Sequence, residues 1–303
     1  MSQALRGSLG ADLLLLLAAM IWGAGFAAQS AAMEGMGPLA FTGIRFLLGW
    51  MVLQPIVARR PRPAGTSPPQ KPVIVLGLIL FVGALFQQYG LLWTTASKAG
   101  FLTGLYVVFV PLLGLFIRQR PALQTWAGTA LAAIGLYFLS ITGSFTITLG
   151  DGLILIGAVV WAFHVLLLGH LAAKRDPVRI AASQFLVGGV LALFAALLFE
   201  DIDLAAWWSV WPWVIYSGVF AVAIAFTLQA VAQAKASPAH CAILLSFEAV
   251  FAALAGYLLL DEHLSTRELG GGALMLLGIV ISQLRKKGDP PQKVEGEVHP
   301  PLG

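Results

Sequence analysis

Laid over itself with an offset of about 140 residues, the chain matches its own second half. Each half carries five apolar stretches long enough to cross a bilayer. An odd number of crossings leaves the chain on the side opposite its start, so a second copy of the same unit enters the membrane upside down relative to the first. The alignment is carried by residues that apolar composition alone does not supply. Asp12 and Trp22 fall on Asp151 and Trp161, Pro38, Phe46 and Gly49 on Pro177, Phe185 and Gly188, and Gln88 on Gln229. Leu105 to Phe109 fall on Phe247 to Phe251, and Gly128 and Gly135 on Gly271 and Gly278.

Composition agrees with a membrane-embedded chain. Of 303 residues, 59% are hydrophobic and 11% charged, whereas a soluble domain carries roughly 25% charged residues. A hydrocarbon core of about 30 Å needs roughly 20 apolar residues per helix. The stretches that qualify are Ala11 to Ala32, Pro38 to Ala58, Lys71 to Trp93, Ala96 to Ile117 and Ala122 to Ile141. Their counterparts are Thr148 to Ala172, Val178 to Phe199, Ser209 to Ala234, Ser237 to Leu260 and Ser265 to Leu284. The expected fold is therefore an all-α integral membrane protein of ten transmembrane helices in a 5+5 inverted-topology repeat, residues 1–145 and 146–284. The Pro-rich stretch Arg59 to Lys71 reads as a linker, and 285–303 as a disordered cytoplasmic tail. The first apolar run reads as a retained helix and not as a cleaved signal peptide.

Basic residues in short loops stay on the cytoplasmic side. With the N-terminus inside, 15 of the 18 Lys and Arg fall in cytoplasmic segments, Lys98 and Arg267 fall outside, and Arg45 lies within a span. That bias places both termini in the cytoplasm, fits a cytoplasmic (bacterial inner) membrane, and accounts for the basic pI without nucleic acid. Trp207, Trp208, Trp211 and Trp213 follow the acidic Glu200, Asp201 and Asp203 on the outer side and read as an interfacial belt. The single cysteine, Cys241, lies inside a span and permits no intrachain disulfide. No phosphate-binding loop, paired-His metal site or nucleophile elbow occurs, so neither an enzyme nor a cofactor is expected. Gly100 and Gly104 form a small-xxx-small pair suited to close helix contact.

The pattern resembles the EamA type of the drug/metabolite transporter superfamily. Ile21-Trp22-Gly23, Gly43-Ile44-Arg45-Phe46, the run Thr94 to Pro111, Ser237-Pro238-Ala239 and Phe247-Glu248-Ala249-Val250-Phe251 carry the likeness, which extends to Leu284. The resemblance implies an alternating-access carrier that exports small metabolites, often amino acids, as in the exporters called YddG. Ala249 departs from the family pattern, which has Pro after the Glu, so a hinge at that Pro is not expected.

Ionisable groups at bilayer depth cost about 2.5–3.5 kcal/mol each on insertion scales, so they face partners or a wet cavity. Glu248 lies near the midplane and shares a helical face with His240, Leu244 and Phe251 by i, i+3 and i, i+4 steps. Its carboxylate can bind a substrate ammonium, take a proton or fix helix packing. Arg45 is read first as structural, through snorkelling or backbone carbonyls, and second as a substrate-carboxylate ligand. Asp12 and Asp151 read as helix N-terminal caps. Trp22 and Trp161 occupy matching mid-membrane positions and are expected to approach each other across a central cavity. Gln88, Tyr106, Gln229 and Ser246, with Gln87, supply neutral hydrogen-bonding groups, and His164 is read first as a satisfied core histidine and second as a proton shuttle to Glu248. The expected partners are a small-molecule substrate, lipid and a coupling proton, with no metal.

Overall fold

The computed structural model describes residues 3–60, 70–140, 148–259 and 265–284. Residues 61–69 of the expected linker, Arg62 among them, and the expected tail 285–303 with Arg285, Lys286, Lys287 and Lys293 lie outside the described residues. Every regular element among the described residues is helical. The first half holds α1 (Gln3–Ala32), α2 (Pro38–Arg59), α3 (Gln70–Leu91), α4 (Ala96–Gly104), α5 (Tyr106–Phe116) and α6 (Leu123–Ser140). The second holds α7 (Leu149–Ala172), α8 (Pro177–Phe199) and α9 (Leu204–Ile215), which runs through a π-helical segment (Tyr216–Phe226) into α10 (Thr227–Gln233). Then come α11 (Pro238–Leu245), α12 (Glu248–Leu259) and α13 (Thr266–Gln283). Seven of the helical runs are long and apolar enough to cross a membrane, and Leu123–Leu139 and Pro238–Leu254 are shorter apolar helices.

Helix starts are written in the sequence. Pro38, Pro177 and Pro238 open α2, α8 and α11, where a missing N–H is harmless. Thr95, Asp176, Asp203 and Ser237 accept first-turn amides, and Thr148 with Asp151 and Ser265 with Glu268 form capping boxes. Glu200 does the same across the fold, accepting from the amides of Leu39 and Ala40 at 2.8 Å each. Asp12 departs from expectation: α1 begins well before it, so it caps nothing and instead meets His240 Nε2 at 2.8 Å.

Two expected spans are not continuous. Ala96 to Ile117 is interrupted at Leu105, whose amide bonds back three residues to Leu102. Ser237 to Leu260 is interrupted at Ser246 and Phe247, where the Phe247 and Ala249 amides also bond back three residues. The Ser246 hydroxyl donates to the Ile243 carbonyl at 2.8 Å, competing with the helical ladder there. The His240 to Phe251 face therefore does not run straight through. His240 turns to α1, while Glu248 opens the next helix.

Lipid tails are as apolar as leucine, so helices in a bilayer associate through close packing and interhelical hydrogen bonds. Glycine provides the closest approach. A Cβ on Gly135 would sit 2.5 Å from the Gly271 carbonyl oxygen, and one on Gly271 would sit 2.6 Å from that of Gly135. Gly128 and Gly278 oppose each other in the same manner, so α6 and α13 run antiparallel with backbones touching twice. α2 packs along α8, α3 along α7 and α8, and α1 along α12 and the π-helical segment. Large apolar side chains such as Leu13, Phe116, Phe194 and Leu198 point outward, as a lipid-facing surface requires. Trp208, Trp211 and Trp213 are exposed on α9, while Trp207 packs inward among Met33 and Val210.

Candidate functional site

The helix interruptions matter because of what stands beside them. Tyr106 opens α5 and Glu248 opens α12, at matching places in the two halves, and both side chains face one central cavity. Glu248 is 3% exposed and Tyr106 is 4%. The phenol and the carboxyl interact with each other, and Tyr106 Oη and Glu248 Oε1 have no further hydrogen-bond partner. Gly23 makes the approach of α1 possible, since a Cβ there would lie 2.5 Å from the Glu248 carbonyl oxygen. The cavity measures about 60 Å³, room for a few water molecules.

Aromatic rings form its walls. Trp22 and Trp161 both line it, but they meet through Phe226 and not ring to ring. The Phe226 centroid is 4.7 Å from that of Trp22 and 5.9 Å from that of Trp161. Each indole is anchored by its N–H: Trp22 donates to the Ala221 carbonyl of the π-helical segment at 2.9 Å, and Trp161 to Gln87 Oε1 at 3.1 Å. π-helical turns recur at functional sites, and this one supplies the carbonyl that orients a cavity wall.

A second polar group faces the cavity from α1, α2 and α3. Arg45, 5% exposed, donates to Gln29 Oε1 at 2.9 Å, and Gln87 Nε2 donates to the same oxygen at 2.8 Å. Gln29 in turn donates to the Gly25 carbonyl at 3.1 Å. The guanidinium carbon lies 4.9 Å from the Phe41 ring centroid and 5.2 Å from that of Phe46. Arg45 Nε has no partner, and no carboxylate among the described residues pairs with Arg45. A desolvated cation balanced only by ring faces and a carboxamide leaves an uncompensated demand for an anion. The snorkelling expected of Arg45 is thus replaced by a buried position on the cavity wall.

Of the eight residues expected to contact a solute, Trp22, Tyr106, Trp161, Gln229 and Glu248 line the cavity. Gln88, His164 and Ser246 do not. Gln88 is fully buried and turns its amide toward Met33 Sδ at 3.7 Å, leaving its neighbour Gln87 to face the interior. His164 sits behind Trp161, with Nε2 2.7 Å from Gln184 Oε1, and lies outside the lining where Glu248 stands. Ser246 is spent on the helix interruption. Sequence reasoning missed Gln29, Phe226 and Thr103, which carried no mark to separate them from other residues of apolar helices. Among the described residues no cluster of His, Cys, Asp or Glu could hold a metal ion.

The sequence pattern of the EamA-like transporter family matches this chain twice, over residues 9–141 and 148–284. The chain belongs to the EamA-like transporter family. An uncharacterized transporter of Archaeoglobus fulgidus is 32% identical to it over 280 residues, covering 91% of this chain and 86% of the relative. The uncharacterized transporter YoaV of Bacillus subtilis is 23% identical, covering 87% and 93%. A solved crystal structure superposes with a TM-score of 0.75 over 90% of this chain and 96% of the other. At 21% identity that likeness shows the fold alone. This transporter is thus a multi-pass membrane protein with a small-molecule substrate.

Proposed function

We propose that the transporter is a secondary carrier that exports small zwitterionic metabolites, amino acids above all, by alternating access. The observation that carries this reading is a single cavity with one buried cation and one buried carboxyl that do not pair with each other. Arg45 takes the substrate carboxylate, flanked by Gln87 and held by Gln29. Glu248 and the faces of Trp22 and Trp161 take the ammonium. A zwitterion answers both charges at once, whereas either charge alone leaves the other uncompensated. Glu248 also carries the proton that couples export to the membrane gradient.

The carrier has ten spans in two inverted halves, residues 1–145 and 146–284, with both termini cytoplasmic. The double family match, the reciprocal glycine contacts of α6 with α13 and the distribution of basic residues support this arrangement. The test is counterflow. Purified protein in liposomes preloaded with unlabelled amino acids takes up a labelled panel, aromatic and aliphatic, with saturation. Flux that rises linearly without saturation or counterflow indicates a passive channel instead.

A further inference from the structure

Two carboxylates, a lysine and a histidine outside the cavity form a pattern that the transport reading does not use. Asp151 of α7 accepts from Lys98 Nζ of α4 at 2.5 Å, and Asp12 of α1 lies 2.8 Å from His240 Nε2 of α11. These pairs are the same pair, built twice. Asp12 and Asp151 each stand ten residues before the cavity tryptophan of their helix, Trp22 and Trp161. Lys98 and His240 each stand eight residues before the group that opens the following helix, Tyr106 and Glu248. At about 1.5 Å per residue, each acid lies about 15 Å along its helix from the cavity wall. Because the halves are inverted, the two pairs lie at opposite ends of the bundle.

The local chemistry is duplicated as well. Thr95 caps α4 by accepting the Lys98 amide at 3.3 Å, and Ser237 caps α11 by accepting the His240 amide at 3.4 Å. Both bases are therefore held on the first turn of a capped helix, aimed at an acid on the tryptophan helix of the other half. Side-chain exposure is 18% and 3% for Lys98 and Asp151, and 17% and 11% for His240 and Asp12. Pairs so shielded are screened less by salt than surface pairs. Between each base and the cavity residue that opens the following helix lies a helix interruption, at Leu105 before Tyr106 in one case and at Ser246 and Phe247 before Glu248 in the other. A short capped helix with an acid–base contact at its outer end and a break at its inner end is a segment that can swing.

We infer that Lys98–Asp151 and Asp12–His240 are the latches of two opposed gates, each of which must part for the cavity to open at its own end. The inference rests on the carrier reading, and its test needs no substrate, so failure to find a transported solute and failure of the latches are separate results. A reporter cysteine, Thr103→Cys, is placed on the cavity wall of the full chain in a Cys241→Ala background. Labelling by a membrane-impermeant maleimide is timed from each face of oriented vesicles. Lys98→Gln, which spares the Asp151 capping box, is expected to speed labelling at least five-fold from the face that bears α4's first turn and to leave the other face unchanged. His240→Leu is expected to do the same from the opposite face. Lys98→Arg keeps the parent rate, and His240→Lys, which gives the second latch the cation of the first, slows labelling from the His240 face. Equal acceleration from both faces, or none from either, in monodisperse protein overturns the inference. Should Lys98→Gln fail to give monodisperse protein, the His240→Lys arm decides: labelling as fast as the parent's, or faster, overturns it.

Discussion

Gln29 holds the cavity's cation in place with one oxygen, accepting from Arg45 and Gln87 together. Removing the charge should therefore be felt in affinity before it is felt in folding. Arg45→Gln is expected to raise the half-saturation concentration for a transported amino acid by at least ten-fold, about 1.4 kcal/mol, at unchanged surface expression. Glu248→Gln is expected to abolish pH-gradient-driven flux while retaining exchange; gradient-driven flux that persists in this variant counts against its role in coupling. At this scale the sequence is a partial guide. Glu248 and Trp22 stand out because a carboxyl or a repeated indole at bilayer depth needs a reason. Gln87 and Gln88 differ by one helical step of about 100°, and the repeat favours Gln88, which aligns with Gln229, although Gln87 is the one that turns inward. Burial, and not residue type, separates His164 from the cavity: it is fully enclosed behind Trp161.

Helical segments are plain in the apolar pattern, but their interruptions are not, because neither break falls at a proline. Leu105 and Ser246 both stand in the right-handed helical region, and the breaks arise from amides that bond three residues back. The lack of Pro after Glu248 thus does not straighten the helix, since the interruption sits just before it. Contacts between elements are more legible: the glycines aligned between the halves are the ones at which α6 and α13 touch. Gly135→Val should cost about 1–3 kcal/mol or more through overpacking, read as a lowered Tm in detergent, whereas Gly272→Ala, facing open space, should cost little. The end of α5 offers the opposite experiment. Arg118 closes it with φ of 62°, and the Gln119 amide bonds back to the Gly114 carbonyl. A left-handed conformation costs a non-glycine residue roughly 1–2 kcal/mol, so Arg118→Gly is expected to raise Tm.

At the scale of the whole molecule, the family pattern matches the chain twice, and the features come in pairs: two indoles, two interrupted helices, two acid–base contacts. In the function proposed above, the differences between the two halves carry the chemistry. Tyr106 in one half is Glu248 in the other, and Arg45 lies opposite Gln184, which is engaged with His164. In that proposed function, an inverted duplicate sets where the cavity forms, and departures from the duplication set what it binds. Recognition of both charges of a zwitterion by one cavity is tested by competition against counterflow. With a labelled amino acid as the reporter, inhibition is measured for the intact unlabelled amino acid, its decarboxylated amine and its deaminated acid. The intact compound is expected to compete at least ten-fold more strongly than either truncated analogue, and Arg45→Gln is expected to abolish its advantage over the amine. An amine or an acid that competes as well as the zwitterion would contradict recognition of both charges.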